Sequence, residues 1–89
     1  MTIEQIEQFI ADNEIQPGKV IRFEMKKRDP IKGIFVKGRD YNDLKVKNFW
    51  RIIPQSRVAA YEQTKDIGLA RIFAGSEFQK LSFVTMKVE

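Results

Sequence analysis

The chain has 89 residues, a net charge of +4, and neither cysteine nor histidine. Disulfide bonds, thiolate or imidazole metal ligation, and Cys-His or Ser-His nucleophilic chemistry are therefore excluded. A hydrophobic content of 43%, with seven Phe and one Trp, argues against disorder and for a packed core.

One domain is expected over residues 1–89. A chain this short hides only about 60% of its unfolded surface, and such domains often gain stability by self-association. No apolar run approaches the roughly 18 residues that span a bilayer. The N-terminal segment MTIEQIEQFIADNE lacks the basic start and apolar stretch of a signal peptide. A cytoplasmic location without a membrane partner is the expectation, in a bacterium or an infected host cell.

Residues 1–14 carry Glu4, Glu7, Asp12 and Glu14 and no Lys or Arg, leaving +8 on the remainder. Between Lys19 and Arg51 there are eleven Lys or Arg against four acids. A basic body suits a polyanionic partner, and it also describes an ordinary soluble Lys-rich surface.

In chain order, residues 1–16 read as a helix. Thr2 is a good N-cap, with Gln5 at the matching capping-box position and Met1 and Ile6 spaced as a hydrophobic staple. Ile3, Ile6, Phe9 and Ile10 form one apolar stripe, and Pro17-Gly18 ends the segment. The acidic face either meets a basic neighbour or is solvated. Strands are expected over residues 19–84. Ile21, Phe23 and Met25 alternate with Arg22, Glu24 and Lys26 as a half-buried first strand. Lys27 to Pro30 turn the chain, and residues 31–37 make a second strand with Gly33 at a bend or close approach.

Leu44 to Ile53 reads as a long third strand closed by Pro54, with Lys45 and Lys47 pointing away from the core. Phe49 and Trp50 then face opposite ways, one into the core and one toward a neighbouring subunit. Residues 55–66 carry no clear period: a short helix, a strand extension and a long loop all remain open, and a connection with some local order is expected. Ile67 to Phe73 and Phe78 to Val84 complete the strands, joined by a tight turn at Ala74-Gly75-Ser76. The resulting fold class is mostly β: an N-terminal helix, then a strongly bent five-stranded antiparallel sheet of the small-barrel kind. A barrel left open offers two edge strands to neighbouring subunits, a route to a ring.

The stretch IKGIFVKGRDYNDLKV, together with RIFAGSEFQKLSFV, resembles the two motifs of the Sm/Lsm family of small β-barrels, to which the bacterial RNA chaperone Hfq belongs. Ile31, Gly33, Phe35 and Val36 fall on its strand positions, Asp40 and Tyr41 on the acidic and aromatic loop positions, and Gly75 on the second-motif glycine. The resemblance implies a homo-oligomeric ring that binds single-stranded RNA. Taken with the cations Lys37 and Arg39 beside the Tyr41 turn, which suit phosphate, it gives contacts at Lys37, Arg39, Asp40, Tyr41, Asn42 and Asp43, with Gly75 supplying backbone from the opposite loop. Two positions depart from the pattern. Asn42-Asp43 replaces Met-Asn, and Ala74 replaces the Arg before the glycine. An Asp there accepts a base N–H but repels phosphate.

No catalytic constellation accompanies these residues, and a binding module rather than an enzyme is expected. Gly33 and Gly38 match no phosphate-cradling loop, and Asp40 and Asp43 are better turn-formers than a cation site, so no cofactor or metal is expected. The alternative to RNA binding is a structural assembly module, of phage origin for instance, with no nucleic-acid role.

Overall fold

The structure, a computed structural model, describes residues 1–12 and 19–85. Helix α1 spans Ile3–Asp12. Its capping box forms as the sequence implies: Gln5 N–H donates to Thr2 Oγ1 (3.2 Å) and Thr2 N–H to Gln5 Oε1 (2.9 Å). Met1, Ile3, Phe9 and Ile10 pack around buried Ile6 against the sheet. The rest of the expected helix and its Pro17-Gly18 stop lie outside the described residues.

The strands are β1 (Lys19–Met25), β2 (Ile31–Phe35), β3 (Phe49–Pro54), β4 (Arg71–Ala74) and β5 (Phe78–Thr85). They form one antiparallel sheet in the order β4-β3-β2-β1-β5. The sheet is open, with β4 and β5 as its edges. Its β1–β5 ladder slips register between Glu24 and Met25. Gly33 pairs with Ile21 on one side and Pro54 on the other. A Cβ there would collide with the Ile53 carbonyl oxygen, so the glycine is required by close approach of the backbones.

The two faces of the sheet carry separate clusters. Phe23, Phe35, Trp50, Ile52 and Phe78 pack with α1 on one face. Val20, Ile34, Val36, Ile53 and Val58 pack on the other. The alternation of β-strand side chains produces this division, since Ile34 and Phe35 or Ile52 and Ile53 must point opposite ways. Trp50 is the buried member of its pair (2% exposed) and Phe49 the exposed one (38%).

Two stretches expected as strand are not strand, and the expected connection at residues 55–66 is ordered as short helix. Residues 44–48 are not strand: Tyr41–Lys45 form a short helix, α2, and β3 begins only at Phe49. Leu44 N–H donates to Asp40 O (3.0 Å) and Val46 N–H to Asn42 O (3.2 Å). Asn48, at φ 61°, supplies the left-handed exit. Residues 55–66 hold a 3-10 turn (Gln55–Arg57) and helix α3 (Val58–Thr64), ended by Lys65 at φ 55°. Ile67–Leu69 is likewise a 3-10 turn rather than the start of β4, which begins at Arg71. Among the described residues, helical residues (3-10 turns included) and extended residues are thus nearly balanced, about 39% against 38%, so the helix and five-stranded sheet are present in a mixed rather than a mostly β composition.

Candidate nucleic-acid interface

The loop after β2 and helix α2 carry six of the seven expected site residues: Lys37, Tyr41 and Asn42 line one hollow, Asp40 turns to Arg51 of β3, and Arg39 and Asp43 are exposed without a contact to the Tyr41 ring. Tyr41 opens α2, its N–H donating to Gly38 O (3.2 Å). The loop is fastened to β3 by Asp40, whose carboxylate accepts from Arg51 Nη2 at 2.7 Å. This charge-assisted bond fixes where α2 starts and so where Tyr41 projects. Arg51 Nε is buried beside it with no partner among the described residues. Lys37, Arg39, Asn42 and Asp43 are exposed, and Tyr41 and Asp40 are half-buried.

The ring of Tyr41 is held from below and flanked by cations. It meets Trp50 edge-on (centroids 6.1 Å, 72°). Trp50 contacts Phe35, which contacts Phe23, which contacts Phe78, at centroid separations of 5.9, 5.2 and 5.2 Å. A continuous aromatic line therefore ties the surface ring to the core, each contact adding about 0.5–1.5 kcal/mol beyond its area. Lys37 Nζ lies 5.0 Å and Lys45 Nζ 5.6 Å from the Tyr41 centroid. Lys45 also pairs with Glu7 of α1 at 3.6 Å, so part of the acidic face of α1 meets a basic side chain of α2. Burial, and then the Glu7 carboxylate, push the Tyr41 phenol above its usual range, so the ring is neutral at physiological pH.

Gly75 lies elsewhere. It is buried against Asn48 and Ile6 and leaves no room for a Cβ. Its N–H donates to Asn48 O (2.7 Å) and its carbonyl accepts from the Met1 amine (3.0 Å). Asn48 Oδ1 in turn accepts from Trp50 Nε1 at 2.8 Å. Both Gly75 backbone groups are consumed internally, one layer behind the Tyr41 ring. Lys47 is exposed at the end of α2, apart from the ring contacts made by Lys37 and Lys45.

Two hollows adjoin Tyr41. One, about 480 Å³, runs toward Asn42, Lys45 and Glu7. The other, about 360 Å³, has an apolar floor of Ile34, Phe35 and Val36 and is closed on its far side by Tyr61 and Lys65. Both are walled by Ile10, Lys37 and Tyr41. The sequence reading missed Tyr61, Glu62 and Lys65. Their only local signal was an aromatic followed four residues later by a lysine. Such residues are neighbours on a helix and unrelated on a loop.

Among the described residues, no group of three or more His, Cys, Asp or Glu side chains is placed to hold a metal ion. No helix among them is long and apolar enough to cross a membrane. Comparison with protein-family models, with curated proteins and with solved structures found no match to this chain.

Proposed function

We propose that the chain is a ring-forming, Sm-like subunit that binds single-stranded RNA or a similar polyanion on its Tyr41 surface. The observation that carries the binding half is the neutral Tyr41 ring, backed by Trp50 and flanked by Lys37 and Lys45. A flat face for a base and cations for phosphate are the two elements that sequence-tolerant strand binding needs. The lysines near the ring are no obstacle. A surface cation–π contact is worth about 0.5–1 kcal/mol, less than the roughly 1–3 kcal/mol of base stacking that would replace it.

The assembly half is supported by the sheet edges. Strand β4 is bonded only to β3, and β5 only to β1. Exposed Ile72 (51%) lies in β4, and Phe49 (38%) lies on the same face of adjoining β3. Pairing β4 of one copy with β5 of the next buries those apolar groups and satisfies both edges, and repetition of that head-to-tail contact closes a small barrel into a ring.

A second reading, assembly without RNA, is favoured by Gly75, which is buried and whose backbone N–H and C=O are both bonded within the fold. A titration of labelled oligo-U and oligo-A across salt concentrations separates the two. RNA binding predicts an affinity that falls as salt rises, by about 0.7 in log K per log salt for each phosphate neutralised. Tyr41→Ala should weaken it by roughly 5- to 150-fold, the equivalent of about 1–3 kcal/mol. An affinity indifferent to both salt and Tyr41→Ala selects the assembly reading.

A further inference from the structure

We infer that helix α3 adds a second nucleotide position: the groove between Tyr41 and Tyr61 takes one unit of a single strand, its base against Tyr61 and its phosphate between Lys37 and Lys65. This rests on the RNA reading of Tyr41 and extends it to residues outside every motif noted in the sequence.

The groove repeats the arrangement at Tyr41. Lys65 Nζ lies 5.4 Å from the Tyr61 centroid, as Lys37 Nζ lies 5.0 Å from that of Tyr41. Each wall thus presents an aromatic ring with a lysine at its rim. The left-handed conformation of Lys65 (φ 55°) ends α3 there, and its N–H donates to Tyr61 O at 2.7 Å. Tyr61 itself is half-buried against the Val20, Ile34 and Ile53 cluster, which fixes the ring. The space of about 360 Å³ falls at the lower end of the range for ligand sites, about 300–1,000 Å³.

Continuity favours a strand over a free nucleotide. The groove and the hollow beside Asn42 and Lys45 share Lys37 and Tyr41, so a backbone can pass from one to the other over the Tyr41 ring. Lys45, Lys37 and Lys65 then follow that path as successive phosphate partners. Glu62, also on the groove wall, opposes phosphate but can accept an N–H from a base edge.

Fluorescence anisotropy of the full chain with a labelled RNA hexamer tests this, using Tyr41→Ala, Tyr61→Leu, Tyr61→Phe and Lys65→Gln. Tyr61→Leu keeps the apolar packing and removes the ring. It should weaken binding about 5-fold or more, whereas Tyr61→Phe should bind like the parent. Lys65→Gln should lower the salt slope by about 0.7. Free nucleoside monophosphate should compete only weakly, and competition as strong as that of the hexamer would overturn the strand assignment. If Tyr41→Ala weakens binding while Tyr61→Leu and Lys65→Gln leave affinity and slope unchanged, the second position is wrong and the Tyr41 site stands. If none of the variants changes anything, both fall. Should Tyr61→Leu fail to fold, the slope of Lys65→Gln decides, since that side chain is exposed.

Discussion

Trp50→Ala is expected to remove about 3–5 kcal/mol of folding stability. A chain of this length has roughly 5–13 kcal/mol in total. The indole is 2% exposed and touches both Phe35 and Tyr41. Its Nε1–H also satisfies Asn48 Oδ1, and Asn48 in turn holds Gly75 and Met1 in place. Removal therefore opens a cavity, orphans an acceptor and takes the floor from under the Tyr41 ring. The melting temperature should fall by about 15 °C or more, at roughly 4–8 °C per kcal/mol for a domain of this size. Trp50→Phe keeps a ring and loses the hydrogen bond, and should cost about 1–3 kcal/mol. Chemical denaturation measures both. A loss under 1 kcal/mol for the alanine variant would refute the packing described for Trp50.

Gly33→Ala is the second large effect. The added methyl would strike the Ile53 carbonyl oxygen, with Ile52 Cγ2 at 2.9 Å and Ile53 C at 3.0 Å. The obstacle is mainly neighbouring backbone, which has no rotamer to escape into. The β2–β3 pairing at Gly33–Pro54 must separate or the strand must shift. An overpacking cost of about 1–3 kcal/mol is the usual range, and a backbone collision belongs at its upper end. Gly68→Ala is the control. Its Cβ would meet only the Asp66 side chain, at 3.0 Å, and the change should stay within about 0.5 kcal/mol. Equal denaturation midpoints for the two variants would contradict the close approach at Gly33.

The same residues show how much was legible in the sequence. Helix α1 was readable because every signal for it is local: a cap, a staple and a stripe within ten residues. Strand β1 was readable by alternation, β2 as a short apolar run after a turn, and Gly33 by its position inside that run. Residues 44–47 misled because Leu-Lys-Val-Lys alternates for only four positions, too few to fix a period. The competing helical cues were Asp40 before the turn, Asp43 in its first turn, Lys45 in its last, and Asn48 as a left-handed exit. Packing of Tyr41 on Trp50 settles the contest in favour of the helix, and no local pattern records that contact.

Lys37, Tyr41 and Asn42 were found together because they lie close along the chain. Gly75 was misplaced, and Tyr61 and Lys65 were missed, for one reason. Their positions depend on which segments the sheet brings side by side. The Arg51–Asp40 pair that anchors the loop, and the Glu7–Lys45 pair that joins α1 to α2, are invisible for the same reason.

Sedimentation velocity of the purified protein, alone and with a fluorescent RNA hexamer at low salt, measures assembly and binding together. Ring formation with strand binding predicts a particle at a multiple of the 10.4 kDa subunit mass, with RNA travelling in the same boundary. A species that stays at 10.4 kDa at high concentration, or an oligomer that RNA never accompanies, would contradict it.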